Sequence, residues 1–262
     1  MIKNGERVYP IKDTSTINEA QAAYLAKIEK NREAGHLAFE SGNYPAFKGY
    51  PAVRMDQIIG IMLQLDEQSQ RLIEERIVGP LSGIANKYDV PNLFAGRGDL
   101  PSHVTLEAGV FQEDKPEEQA AVERWLRTGG AHLTKLSAIL TGLKFSMDTL
   151  IVAPNTYICS SRVDETQGAP FRARQIVRKI MHRVTPTDFF GPLYPRYDDI
   201  FHSSVSRVTE AVQPKMALSF LNESYETIGQ NLRKSPLEVV TSNVFIGKSG
   251  DFYRQYAPGV LI

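Results

Sequence analysis

Strand-like and helix-like segments alternate along this chain, and their order constrains the fold more than any other feature. After a first helix, an order of strand, helix, strand and helix occurs, and a similar order returns in the second half as a weak structural repeat. Mixed order of this kind favours an α+β or α/β fold over an all-β sandwich. The predicted strands are 57–65, 102–111, 143–153, 156–161, 200–208 and 237–247, and the predicted helices are 18–35, 66–78, 116–127, 169–183 and 214–233.

Glycine and proline positions set the predicted boundaries of these elements. Gly35 is suited to ending the first helix, and Gly79-Pro80 predicts a break or bend at the end of the second. The stretch after the first helix is rich in glycine, proline and aromatic side chains, which is typical of a loop. We therefore predict an N-terminal helical extension over residues 1–52 and a main domain of two lobes over residues 53–262.

The composition is that of an ordinary globular protein. The chain has 262 residues, of which 42% are hydrophobic and 23% charged. The 30 basic and 30 acidic residues balance, which argues against broad electrostatic capture of duplex nucleic acid. The single cysteine, Cys159, cannot form an intrachain disulfide, and this fits a reducing compartment. No apolar run is typical of a signal peptide or a membrane span, so we expect a cytoplasmic protein without a membrane partner.

Two of the predicted strands carry the same four-residue pattern of histidine, spacer, hydroxyl residue and aliphatic residue. Residues 103–106 read His-Val-Thr-Leu, and residues 202–205 read His-Ser-Ser-Val. Because side chains alternate across a strand, the histidine and the hydroxyl of each pattern share one face. Two such pairs facing each other supply two proton-transfer groups and two small hydrogen-bond donors, which suit a phosphate group.

A third copy of the pattern stands in a different context. Residues 132–134 read His-Leu-Thr, but they follow a double glycine, their apolar spacing is helical, and Lys135 replaces the aliphatic residue. We therefore exclude His132 from the predicted site. The triplet alone is weak evidence, so the joint agreement of spacing, strand context and aliphatic flanks is what selects His103 and His202.

The paired motifs resemble the signature of the 2H phosphoesterase superfamily, which includes RNA 2′,3′-cyclic phosphodiesterases and 2′–5′ RNA ligase-like proteins. That signature has two His-x-Thr/Ser motifs, each followed by a hydrophobic residue, roughly a hundred residues apart. Here His103 and His202 are 99 positions apart. Pro101 closely precedes the first motif, and Arg207 follows His202 by five positions, as an arginine often does in the family. The resemblance covers about residues 55–255.

The resemblance implies a bilobal, pseudo-twofold α+β fold, with two antiparallel sheets flanked by helices and a central cleft. It also implies a phosphodiesterase that needs neither metal nor cofactor and hydrolyses a nucleotide or RNA-end 2′,3′-cyclic phosphate or a 2′–5′ phosphodiester. His103 and His202 would be the acid–base pair, while Thr105 and Ser204 would donate hydrogen bonds to the phosphate. Arg207 would reach the same phosphate, although a strand-end arginine is as often simply solvated.

The second motif departs from the usual family pattern at two positions. Ser203 stands where a hydrophobic spacer is usual, and Ser204 replaces the commoner threonine. The polar spacer predicts that this face of the strand is less buried.

Aromatic and basic side chains are further candidates for contact with RNA. A nucleobase could stack on aromatic rings, although large aromatics on strands are usually core residues. The candidates for stacking are Tyr157, Phe201, Tyr253 and Phe47. Basic residues on the predicted helix 169–183 could guide RNA, although a run of charges is usually a solvated face. These basic residues are Arg172, Arg174, Arg178 and Lys179.

Three alternatives to this function stay open. The same cleft could hydrolyse a signalling cyclic oligonucleotide, since that task differs only in the substrate. It could instead be a catalytically silent module that binds a nucleotide or an RNA end. The chain could also be an interaction protein whose helix 18–35 docks a partner.

Overall fold

A computed structural model describes residues 17–41, 58–89, 102–110, 116–153, 156–163, 170–177 apart from 171 and 175, 201–207 and 214–248. The strands are β1 Ile58–Leu65, β2 His103–Val110, β3 Lys144–Ala153, β4 Thr156–Val163, β5 His202–Arg207 and β6 Leu237–Lys248. The helices are α1 Ile17–Glu40, α2 Glu67–Ile73, α3 Gly79–Lys87, α4 Pro116–Leu140, α5 Pro214–Ser224 and α6 Gln230–Lys234. Single π-helical turns join α2 to α3 at Glu74–Val78 and α5 to α6 at Tyr225–Gly229.

The described strands form one six-stranded sheet in the order β2-β1-β6-β3-β4-β5, and every neighbouring pair is antiparallel. The prediction of two antiparallel sheets is not confirmed, because the described strands are continuous in one sheet. The physical reason is the length of β6, which pairs with β3 through residues 237–240 and with β1 through residues 241–248. One long strand thus belongs to both halves and joins them.

The sheet curls until its two edges meet. The strands β2 and β5 lie at opposite edges of the strand order, yet they contact each other. Strand twist accumulates across a sheet, and the β-bulges found in this one increase the local twist and bend the strands that carry them. The consequence for function is that the two motif-bearing strands, which are the most distant in strand order, become neighbours in space.

The helix predicted as an N-terminal extension belongs to the main core. α1 packs against β3 and α5, and its residues Ile28 and Phe39 are buried in the same apolar cluster as the sheet. The helix also continues past Gly35, which is itself buried, to Glu40. Ending the helix at Gly35 would remove the turn that carries Phe39 into the core, so burial outweighs the intrinsic preference of glycine for helix ends.

Two other helices run further than predicted. The helical path continues through Gly79-Pro80, because the amide of Gly79 bonds to the carbonyl of Glu74 in a wider π turn just before the proline. α4 continues beyond residue 127 to Leu140, whose side chain is fully buried. His132 lies inside α4, which confirms the helical context predicted for the third copy of the motif.

Candidate active site

The first motif lies at the start of β2, where its side chains alternate between the core and a half-exposed face. Val104 and Leu106 are fully or almost fully buried in the core. His103 and Thr105 are half-buried on the opposite face. The strand period of two therefore presents the imidazole and the hydroxyl together, as the sequence predicts.

The second motif repeats this arrangement at the start of β5. Val205 packs in the core, while His202 and Ser204 are half-buried on the other face. The spacer Ser203 points to the core side and is only 1% exposed. The prediction that the polar spacer marks a less buried face is therefore wrong, because strand alternation places this position inward whatever residue occupies it.

Each motif also has a β-bulge at the same position. In the pairing of β1 with β2, Ile61 is opposite Glu107 and Met62 is opposite Thr105, so Leu106 is the extra residue. In the pairing of β4 with β5, the residue before Ser206 is likewise skipped, and that residue is Val205. The extra residue is in both cases the aliphatic one that ends the motif. Bulges of this kind redirect nearby side chains and are common beside active sites.

A buried phenylalanine lies on the same face of the sheet as the first motif. Thr105 is opposite Met62, which in turn is opposite Phe245, so the three side chains share one face. Met62 and Phe245 are both buried, and neither belongs to the main core cluster. The ring of His103 meets the ring of Phe245 edge-on, with centroids 5.8 Å apart and planes at 75°. Phe245 thus supports the imidazole, a role that the sequence analysis missed.

A buried arginine contacts β2 and the residue directly before β5. The Nε of Arg174 donates a hydrogen bond to the carbonyl oxygen of Leu106 at 2.7 Å, and one terminal nitrogen lies 3.4 Å from the carbonyl oxygen of Thr105. Its guanidinium carbon lies 3.9 Å from the ring centroid of Phe201, the residue before His202. Arg174 is 5% exposed, so it is not part of a solvated basic face, whereas Arg172 is exposed.

The predicted stacking residues have different positions. Phe201 is fully buried, and its ring packs against the guanidinium of Arg174 and against Phe145, 5.5 Å away between centroids. A nucleobase therefore has no access to this ring, and we assign Phe201 to the core. Tyr157 lies on β4, opposite Ser206. Tyr253 and Phe47 are outside the described residues.

Of the remaining basic candidates, only Arg207 lies within the described residues. Arg207 is the last residue of β5, and its backbone pairs with Thr156 at the end of β4. This position continues the strand that carries His202 and Ser204. Arg178 and Lys179 lie outside the described part of the chain.

Among the described residues, no group of three or more histidine, cysteine, aspartate or glutamate side chains is arranged to hold a metal ion. The groups gathered at the motif strands are imidazoles and hydroxyls, which transfer protons and donate hydrogen bonds. Within the described ranges, no helix is both long and apolar enough to span a bilayer.

Comparison with solved structures shows where this fold occurs. A conserved protein of unknown function from Agrobacterium tumefaciens, ATU0111, is 15% identical; the match covers 82% of this chain and 93% of that one, with a TM-score of 0.53. This likeness shows a shared fold. No family model and no curated protein sequence matches the chain.

Further similar structures are those of Usb1 from Kluyveromyces marxianus. One is 14% identical over 76% of this chain and 96% of that one, with a TM-score of 0.43. The other structure, with uridine monophosphate, is also 14% identical. That match covers 74% of this chain and 96% of the Usb1 chain, with a TM-score of 0.44.

Proposed function

We propose that this protein is a phosphodiesterase that hydrolyses a nucleotide or RNA-end 2′,3′-cyclic phosphate, or a related 2′–5′ linkage, by two-histidine acid–base catalysis. The observation that carries the proposal is the meeting of β2 and β5, with the histidine and hydroxyl of each motif on the half-exposed face of its strand. Neighbouring strands of this kind can present two imidazoles and two hydroxyls to one phosphate.

The proposed chemistry uses one imidazole on each side of phosphorus. One histidine, as neutral imidazole, takes a proton from water while the water oxygen forms a bond to phosphorus. The other, as imidazolium, gives its proton to the ribose oxygen as the bond from phosphorus to that oxygen breaks. The pair ends with its protonation states exchanged, and proton exchange with solvent restores them. Which of His103 and His202 begins as the base depends on how the substrate lies.

The two hydroxyls have a separate role in this proposal. Charge builds up on the non-bridging oxygens as phosphorus becomes five-coordinate. Thr105 and Ser204 would donate hydrogen bonds to those oxygens. Donors held in place before the reaction stabilise the transition state most. A β-bulge lies next to each hydroxyl and influences where that side chain points. Arg207, further along β5, would add a positive charge near the same phosphate.

Single alanine variants of the two histidines test the proposal. The wild-type protein, His103→Ala and His202→Ala are assayed on a panel of 2′,3′-cyclic nucleotides and 2′–5′ dinucleotides, with a chelator present and the products identified. We expect each variant to lower kcat by about 10²- to 10⁴-fold, the usual contribution of a general acid or base. The products show whether the 2′ or the 3′ oxygen leaves.

His132 offers a matched control. It has the same His-x-Thr pattern, but it lies in the helix α4 and not on either motif strand. The His132→Ala variant should therefore hydrolyse the substrates at the wild-type rate. If His103→Ala or His202→Ala hydrolyses the substrate at the wild-type rate, the proposed mechanism is refuted. A wild-type protein that binds uridine monophosphate but hydrolyses nothing on the panel would be a nucleotide-binding module instead.

A further inference from the structure

A buried arginine contacts the first motif and the residue directly before the second motif, without being part of either. Arg174 lies on a helical segment at residues 172–174 and 176–177, between β4 and β5 in the chain. Its hydrogen bonds go to backbone carbonyls of the first motif, at Leu106 and Thr105. Its guanidinium carbon lies over the ring of Phe201, directly before the second motif.

Burial of this group has an energetic cost that its contacts must offset. Removing a cation from water costs several kcal/mol even after the protein relaxes. Arginine can recover part of that cost because its planar guanidinium donates along its edges while its face stacks on an aromatic ring. Here the hydrogen bonds go to β2, and the guanidinium lies over the ring of Phe201, directly before β5. One buried cation thus connects the two edges of the sheet.

We propose that Arg174 is a positioning residue that holds the two motif strands at the separation required by catalysis. This inference rests on the proposed function, since the separation matters because two imidazoles must act on opposite sides of one phosphorus. The carbonyl that Arg174 binds most closely is that of Leu106, the bulge residue of β2. Arg174 therefore constrains the distorted position that sets the orientation of Thr105 and its neighbours.

Substitution of Arg174 should affect turnover more than substrate binding. A misplacement of about 1 Å between reacting groups can lower a rate by about 10²-fold. Arg174 contacts two backbone carbonyls and a fully buried ring, and none of these groups needs to touch substrate. Loss of the arginine should consequently lower kcat while KM changes little.

Three variants separate positioning from general stability. Arg174→Met keeps an unbranched side chain and removes the charge and all donors. Arg174→Lys keeps the charge but loses the planar fork that bonds along its edge and stacks on its face. Arg127→Met is the matched control, because Arg127 is an exposed arginine on α4 and belongs to neither motif. Steady-state kinetics are measured on a substrate that the wild type hydrolyses, and the imidazole signals of His103 and His202 are followed by NMR.

The expected pattern is specific. Arg174→Met and Arg174→Lys should each lower kcat by about 10²-fold, with KM within roughly threefold of wild type. Both should shift the ring signals of His103 and His202, while Arg127→Met leaves rates and signals unchanged. Wild-type kcat and unchanged imidazole signals in folded Arg174→Met would overturn the inference, even if that variant melts at a lower temperature. If Arg174→Met does not fold, the same criteria apply to Arg174→Lys.

The experiment distinguishes failure of the proposed phosphodiesterase function from failure of the role proposed for Arg174. A wild-type protein that hydrolyses no substrate contradicts the phosphodiesterase activity. The NMR comparison does not depend on turnover, and the ring signals then decide alone whether Arg174 positions both histidines. A double-mutant cycle with Phe201→Leu adds a second check, since residues that act through one contact have non-additive effects.

Discussion

At the scale of single residues, the two motifs differ most at the buried spacer, which is Val104 in β2 and Ser203 in β5. Both positions face the core. The hydroxyl oxygen of Ser203 is buried and has no hydrogen-bond partner among the described residues. A buried hydroxyl of this kind loses its hydration without a compensating bond, which costs about 1–3 kcal/mol. The neighbouring Ser204, on the other face, is half-exposed and carries no such penalty.

Replacing Ser203 by alanine should stabilise the protein. The Ser203→Ala variant removes the unpaired oxygen and leaves a small apolar side chain, so we expect the free energy of unfolding to rise by about 1 kcal/mol. Chemical denaturation measures the change. Ser204→Ala is the control, because it should change the stability little while lowering the proposed phosphodiesterase activity. A loss of stability in Ser203→Ala would show that this hydroxyl contributes a bond to the fold.

At the scale of elements, an exposed polar cluster links α3 to α5. The carboxylate of Glu223 accepts hydrogen bonds from the Lys87 Nζ at 2.6 Å and from the Tyr88 hydroxyl at 2.7 Å. The bond from Lys87 is the largest cause and that from Tyr88 the second, and together they hold the pKa of Glu223 below its usual value of 4.5. The same bond raises the pKa of Lys87. The link therefore joins the helix after β1 to the helix after β5.

Acid should weaken this link. A carboxyl whose pKa is lower in the folded state stabilises the fold above its unfolded pKa, and that contribution disappears as the pH falls through the folded pKa. We expect Glu223→Gln to be less stable than wild type at neutral pH, with the difference vanishing well below pH 4.5. Unfolding measured across this range checks the sign. Glu226→Gln, which changes an exposed glutamate nearby, gives the background effect of removing one negative charge. A stability difference that is constant with pH would contradict the assignment.

At the scale of the whole molecule, one apolar cluster holds the described helices and strands together. It includes residues of α1, of the helices after β1 and β5, and of the strands on both sides of β6. The helix α1, which lies within the predicted N-terminal helical extension, thus contributes to the stability of the main fold. Removing it should expose part of the core, which argues against α1 as a freely available docking helix.

Two neighbouring positions on α1 test this conclusion. Phe39 is 1% exposed and lies in the core, whereas Leu37 is 63% exposed. We expect Phe39→Ala to lower the free energy of unfolding by about 3–5 kcal/mol, because it leaves a cavity as well as losing apolar burial. Leu37→Ala should change it by less than about 0.5 kcal/mol. Equal and small effects at both positions would mean that α1 does not pack on the sheet.

Much of the secondary structure was predictable because it depends on local periodicity. The strands 57–65 and 237–247 lie within a residue of β1 and β6, and the histidine patterns lie on strands as predicted. The predicted helix ends were wrong where burial of later residues extended the helix, as at Gly35. Glycine lowers helix stability by only about 1 kcal/mol. Tertiary packing readily exceeds that amount.

The candidate site divides in the same way. Strand alternation, which is a property of the backbone, put the histidine and hydroxyl of each motif on one face and the spacer inside. Nothing in the sequence distinguished Arg174 from the other basic residues of its segment. Its burial depends on two strands that meet in space, although their histidines are 99 positions apart in the sequence.

The sequence by itself thus determined which side chains stand together within each strand, because an alternation of two residues follows from covalent geometry alone. Only the tertiary structure decided that the two strands meet. That outcome depends on β6 pairing with both halves of the sheet and on the curl that brings β2 to β5. Contacts between distant parts of a chain come from the summed twist and packing of all six strands, which no local pattern contains.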